Sequence, residues 1–230
     1  MIEDIILVND KKYITLRMMG KGKGGYSYLA KRISMNDEDT YLEDLGTPID
    51  EELDDRIITH ILINDDFPKG YIFDDYGGVP MGYVLLKKIH HEPCDYYTFG
   101  NKIEAEMRDY QRLSDIGIPM PKMYAADVER EIIAKEFIDG PTILMILMNN
   151  DFTLPEDALN QVRKMAETAK AAGLNIDYFP TNFIYSHGKL YYIDYECNPY
   201  MEEWSFDNWG IKYWTKTPEL LDYIQNHVKK

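Results

Sequence analysis

Two cysteines, Cys94 and Cys197, are all that the 230 residues contain. So few exclude a disulfide-stapled scaffold, and a reducing cytoplasm is the expected setting. No apolar run approaches the ~18 residues of a membrane span, so no membrane association is expected. The opening MIEDIILVNDKK has acids ahead of its short apolar stretch, where a secretory signal has a basic region, so export is not expected either. Basic residues are scarce as well: 25 Lys and Arg stand against 40 Asp and Glu, a formal charge of −15. Such a field repels nucleic acid and anionic lipid over much of a surface. The imbalance is concentrated between Asn36 and Asp66, where twelve acids face Arg56 alone. That stretch reads as a solvated acidic face, and the partner it would suit is a basic protein. Its NDEDTY lacks the glycine and terminal glutamate of an EF-hand loop, which excludes calcium binding of that kind.

What is present is a 45% hydrophobic chain, long enough for one bilobed domain or two small ones. Its patterning is α+β. The stretch KYITLRMMGKGKGGYSYLAKRI places Gly20, Gly22 and Gly25 in a G-x-G-x-x-G spacing between two strand-like runs. A dinucleotide-binding loop would lead into a long amphipathic helix, whereas YSYLAKRI alternates as a strand. Residues 34–82 read as an acidic insertion around one helix, Asp50–Ile63. The sheet resumes at YVLLKKI, where alternation puts Lys87 and Lys88 on opposite faces. HHEPC is too crowded to form one tetrahedral zinc site. NKIEAEMRDYQRLSDIG is a helix by its spacing of Ile103, Met107, Tyr110 and Leu113, with Glu106 beside that apolar face and Gly117 as its stop. GIPMPKMYAAD and EREIIAKEFIDGPTI follow as strands. A helix opening on the T-x-x-E pattern of Thr153 and Glu156 runs to Gly173, and Thr217 and Pro218 cap a last short helix.

Residues 175–196 read NIDYFPTNFIYSHGKLYYIDYE. FIY and LYYI are short strands joined at SHGK by a glycine turn, with Asp177 and Asn182 in the loop that enters this hairpin and Asp194 at its exit. Taken singly, each acid is an ordinary turn or strand-end residue.

Taken in order, the glycine loop, strand lysine, helix glutamate, D-x-x-x-x-N and strand-end Asp resemble the protein-kinase-like superfamily over about residues 13–210. IDYE followed by SFDNWG is most similar to choline kinases and aminoglycoside phosphotransferases, and DIGIPMPKMY resembles the Rio kinases and the small kinase of the KEOPS complex. The resemblance implies a bilobed fold. An N-terminal lobe, 1–138, would hold an antiparallel sheet with one long helix; a reduced, mainly helical C-terminal lobe would span 139–230. It implies ATP and Mg²⁺ as cofactors, with Gly20, Gly22 and Gly25 over the phosphates and Lys87 on the α and β phosphates, positioned by Glu106. Backbone groups near Glu136 to Ile138 would meet the adenine edge. Asp177 would be the catalytic aspartate, and Asn182 and Asp194 the magnesium ligands. By the same likeness Asp207, supported by Trp209 and Trp214, would brace the catalytic loop, and Glu196 would support the metal.

Three departures bear on function. Asn175 stands where the family has histidine, Asp194-Tyr-Glu replaces D-F-G, and no A-P-E motif follows. The resemblance nevertheless implies a kinase acting on a hydroxyl of a small molecule or of a protein serine or threonine, through the intact Lys, Glu, Asp, Asn, Asp set. The alternative is a pseudokinase or partner-activated ATPase serving as a regulatory module.

Overall fold

A computed structural model describes residues 5–9, 11–22, 24–33, 83–92 and 101–227. The acidic insertion 34–82 with its expected helix, and Cys94, lie outside the described residues. The chain divides into two compact units, one of Met1–Glu104 with Lys122–Phe137, the other of Ala105–Pro121 with Ile138–Lys230. The cut after Phe137 lies beside the boundary expected from the sequence. Ala105–Pro121, expected with the N-terminal lobe, groups instead with the second unit.

The first unit is built on an antiparallel sheet of six strands: β1 (Ile5–Val8), β2 (Lys11–Lys21), β3 (Gly25–Ile33), β4 (Tyr83–Ile89), β5 (Met123–Asp127) and β6 (Ile132–Glu136), in the order β1-β2-β3-β4-β6-β5. Strand alternation sorts the faces. In β4, Val84 and Leu86 are fully buried and join Tyr13, Ala30, Ile132 and Ala134 in one apolar cluster, while Lys87 projects from the other face. Although β1 and β5 stand at opposite ends of the strand order, they touch each other. The sheet is therefore curled, following the right-handed twist of its strands. A seam fastens the curl. Asn9, in the β1–β2 turn, donates from Nδ2 to the carbonyl of Ala126 at 3.0 Å, and its backbone N–H points to the Asp127 carboxylate at 3.4 Å. Asp127, buried, also accepts from the backbone and guanidinium of Arg130 at 3.0 and 2.8 Å.

Helix α1 (Lys102–Asp115) begins in the first unit and continues from Ala105 in the second, where Leu113 enters the core. The second unit adds α2 (Ile143–Asn149), α3 (Ala158–Ala171) and α4 (Pro218–His227). It also holds two antiparallel ribbons, β7 (Leu174–Ile176) with β10 (Cys197–Pro199), and β8 (Phe183–Ser186) with β9 (Lys189–Tyr192). The stripe Ala158, Val162, Met165 and Ala169 of α3 packs with Leu147, Phe183 and Trp214. Thr142 caps α2, its Oγ1 accepting from the Met145 N–H at 3.2 Å.

The start of α3 differs from the sequence expectation. Thr153 does not cap it: the Thr153 N–H donates to the Asn150 carbonyl at 2.8 Å and the Asn150 amide returns to the Thr153 carbonyl at 2.9 Å, which closes a turn. The helix starts at Ala158, and the preceding Asp157 carboxylate accepts from the Tyr185 hydroxyl at 2.5 Å and the Gln161 amide at 2.7 Å. Between β8 and β9, His187 (φ 49°) and Gly188 (φ 77°) are both left-handed, the two-residue turn whose twist matches its strands.

Candidate functional site

The second unit gathers the hairpin acids about one side chain. Strand β7 delivers Asp177, whose Oδ1 accepts from the N–H of Phe179 at 3.0 Å in an Asx turn. Pro180–Asn182 form a single 3₁₀ turn, placing Asn182 just before β8, with its Nδ2 3.5 Å from the Asp177 carbonyl. Beyond β9 the Ile193 N–H donates to the Asn182 carbonyl at 2.9 Å, which holds the approach to Asp194 against the loop. At the centre is Tyr192, fully buried. Its hydroxyl donates to the Glu196 carbonyl at 2.8 Å and accepts from the Asp177 N–H at 3.3 Å. Burial, then the nearby carboxylates of Asp194 and Asp177, push this phenol well above its ordinary pKa, so it stays protonated and keeps donating. Asp177 and Asp194 thus share one neighbourhood, and both side chains are half-buried. Glu196 is close by, its Oε1 accepting from Asn198 at 3.1 Å.

The loop is supported from beneath. Trp214, 1% exposed, donates its indole N–H to the Tyr178 carbonyl at 2.7 Å, and its ring meets Phe183 and Phe206 edge-on at 5.1 and 5.7 Å. Asp207, expected to brace the loop, is exposed; the bracing bond comes from Trp214. Asn175, 5% exposed, donates to the Met201 carbonyl at 2.8 Å, while its Oδ1 has no hydrogen-bond partner among the described residues. The Asn175 amide thus ties β7 to the chain just after β10.

In the first unit, Gly20 ends β2 and Gly25 begins β3, and the Gly22 N–H donates to the Gly25 carbonyl at 2.9 Å. The tip is clasped from the exit of β4. Glu92 accepts from Lys21 at 2.5 Å and from the Tyr26 hydroxyl, and His90 Nε2 lies 3.0 Å from the Gly22 carbonyl. Among the described residues packing requires Gly25 and not Gly20: a Cβ on Gly25 would stand 2.6 Å from the Lys88 carbonyl oxygen, whereas one on Gly20 would meet no described atom within 4 Å. Lys87 is half-buried, level with Ser27 of β3 and Ile133 of β6; Lys88 is exposed. The Glu136 N–H, in the segment expected to meet adenine, is taken by the Lys122 carbonyl at 2.8 Å, and its carboxylate accepts from the Lys122 N–H at 3.0 Å. Ile138 is nearly buried and belongs to the second unit. Glu106 is half-buried on α1, also in the second unit.

Among the described residues no group of three or more His, Cys, Asp or Glu side chains is arranged to hold a metal ion. The donors at the loop are hard oxygens: two carboxylates and the amide of Asn182. Magnesium takes one or two protein carboxylates and completes its octahedron with water and phosphate oxygens, so this set fits a metal that arrives with a phosphorylated ligand. Sequence reasoning passed over Tyr192 and the Glu92 clasp, and it gave Trp214 a packing role without its indole bond to Tyr178. A buried phenol in LYYI looks like any strand aromatic, and nothing local marks its two bonds. Among the described residues no helix is long and apolar enough to cross a membrane. No family model matches the chain, and no curated protein matches it.

Proposed function

We propose that the chain is an ATP- and Mg²⁺-dependent phosphotransferase of bilobed, protein-kinase-like architecture, moving a γ-phosphoryl group to a hydroxyl of a small molecule or a protein serine or threonine. The observation that carries this reading is geometric: the buried Tyr192 hydroxyl bonds to the backbone of Asp177 and Glu196, and the Ile193 N–H, next to Asp194, donates to the Asn182 carbonyl at 2.9 Å. One hairpin thereby ties the two acids that such chemistry uses. In this reading Asp177 orients the acceptor hydroxyl and takes its proton, with the Phe179 N–H fixing its rotamer. Asp194 and Asn182 would hold the divalent cation, whose charge neutralises that developing on the transferred group. Lys87 would contact the phosphates. The glycine turn would lie over them, close because it lacks side chains.

Asn175 favours a second reading, a regulatory module that binds nucleotide and turns it over only with a partner. This residue stands where the resembled family has histidine, and its amide is committed to the Met201 carbonyl at 2.8 Å.

Thermal unfolding with and without ATP and Mg²⁺ tests nucleotide binding: a ligand at ~100 times its dissociation constant adds about 2.7 kcal/mol. Asp194→Ala is expected to abolish that shift, and Asp177→Asn to keep it while removing turnover. Equal shifts and equal turnover in wild type and both folded variants would reject the proposal.

A further inference from the structure

Six rings form a continuous strip on the second unit that begins at the candidate catalytic loop. Phe179, whose N–H holds Asp177, has its ring 4.9 Å from Tyr213 and 4.6 Å from Tyr223. From Tyr213 the strip runs 5.3 Å to Trp209 and a further 5.7 Å to Trp204; from Tyr223 it runs 4.9 Å to His227. Trp204 is 49% exposed, His227 is exposed, and the four rings between are half-buried, so the strip keeps much ring surface in water. Trp209, Tyr213 and Tyr223 pack one side against the core that holds Tyr178, Phe206 and Trp214, while Trp204 and His227 extend the strip beyond it.

The charges around the strip select its occupant. Among the described residues Glu203, Asp207, Glu219 and Asp222 are exposed on the segments that carry the rings, against Lys212 and Lys216, while Glu202 is paired with Lys170 at 3.3 Å. Lys216 is itself 3.6 Å from Asp151. On α4, Glu219, Tyr223 and His227 follow at four-residue spacing and share a side, while Leu220 and Ile224 are buried. Aromatic rings interleaved with bases suit nucleic acid, whose phosphates need cations. Rings interleaved with acids repel it and favour a cation, which sits on ring faces through their quadrupole and is drawn in by the carboxylates. Guanidinium groups stack on rings while staying charged. Five ring-to-ring steps exceed one small amine, whereas extended chain, at about 3.3 Å per residue, follows such a line.

We infer that this strip is the docking surface for an arginine-rich segment of a partner protein, laid along the rings with its guanidinium groups stacked on them. That the same segment presents a hydroxyl to Asp177 rests on the phosphotransferase reading; the docking does not.

The test measures binding of a fluorescent alternating arginine–serine peptide to the full chain without nucleotide, by anisotropy, and separately its phosphorylation with ATP and Mg²⁺. Controls are the glutamate–serine counterpart and a single-stranded oligothymidylate. The arginine peptide is expected to bind and to weaken with salt. Trp204→Ala should weaken it on the order of tenfold, as loss of an interface tryptophan does, and Trp204→Phe should retain most of the affinity. Binding without phosphorylation upholds the docking surface and counts against the phosphotransferase reading for this acceptor. No binding, unchanged binding by folded Trp204→Ala, or equal binding of either anionic control overturns the inference.

Discussion

The indole N–H of Trp214 meets the carbonyl of Tyr178 at 2.7 Å, inside a core where both side chains are about 1% exposed. Phenylalanine at 214 keeps most of the apolar contact with Phe183 and Phe206 but supplies no donor, so the Tyr178 carbonyl would be buried unpaired. Trp214→Phe is expected to lower stability by about 1–3 kcal/mol. Urea unfolding checks this: an unchanged midpoint and slope would mean the bond contributes nothing.

Tyr192→Phe removes one oxygen and two bonds, the donation to Glu196 and the acceptance from Asp177. The expected loss of stability is again about 1–3 kcal/mol. If Tyr192 positions Asp177, kcat should fall well beyond the change in KM for nucleotide, and a loss in KM alone would contradict that positioning role.

Much of the second unit is legible in the sequence. The alternation of FIY and LYYI with Gly188 between them specifies β8 and β9, and Thr217-Pro218 marks the start of α4, with the Leu220 N–H on Thr217 Oγ1 at 3.2 Å. Helix α2 was not legible: ILMILM, ahead of Asn149, is an unbroken apolar run with no period to separate helix from strand. The T-x-x-E at Thr153 misled because Asn150 draws Thr153 into a turn, while Tyr185, far along the chain, occupies Asp157. The candidate site was legible as a set of residue types. Its organiser was not, because a phenol's bonds to a backbone many residues away leave no local pattern.

The glycine turn gives a paired prediction. Gly25→Ala places a Cβ 2.6 Å from the Lys88 carbonyl oxygen, a backbone atom that can move only with β4, so destabilisation of about 1–3 kcal/mol is expected. Gly20→Ala meets nothing, so its melting temperature should match wild type. Should the turn cover phosphates, Gly20→Ala weakens ATP without weakening the fold. Loss of stability in Gly20→Ala with Gly25→Ala unaffected would contradict the geometry.

Asp127 predicts an acid limb. Hydrogen bonds from the Arg130 backbone and guanidinium hold its carboxyl below the usual range, with a smaller contribution from Asn9. The folded state therefore binds this proton more weakly than the unfolded chain. The stabilisation is complete above the unfolded value near 3.8 and is lost as pH falls through the depressed folded value. Asp127→Asn should be less stable at neutral pH and show a shallower fall below pH ~4 in denaturation across pH. An identical acid limb in the variant would show that Asp127 does not contribute.

The stitching of Asn9 to Ala126 and Asp127 has an outcome for association. A sheet with open margins invites a stranger's backbone to extend it by strand addition, and with it the risk of fibre growth. Here the outermost strands touch and Asn9 holds them together, so this margin offers an incoming strand less open backbone.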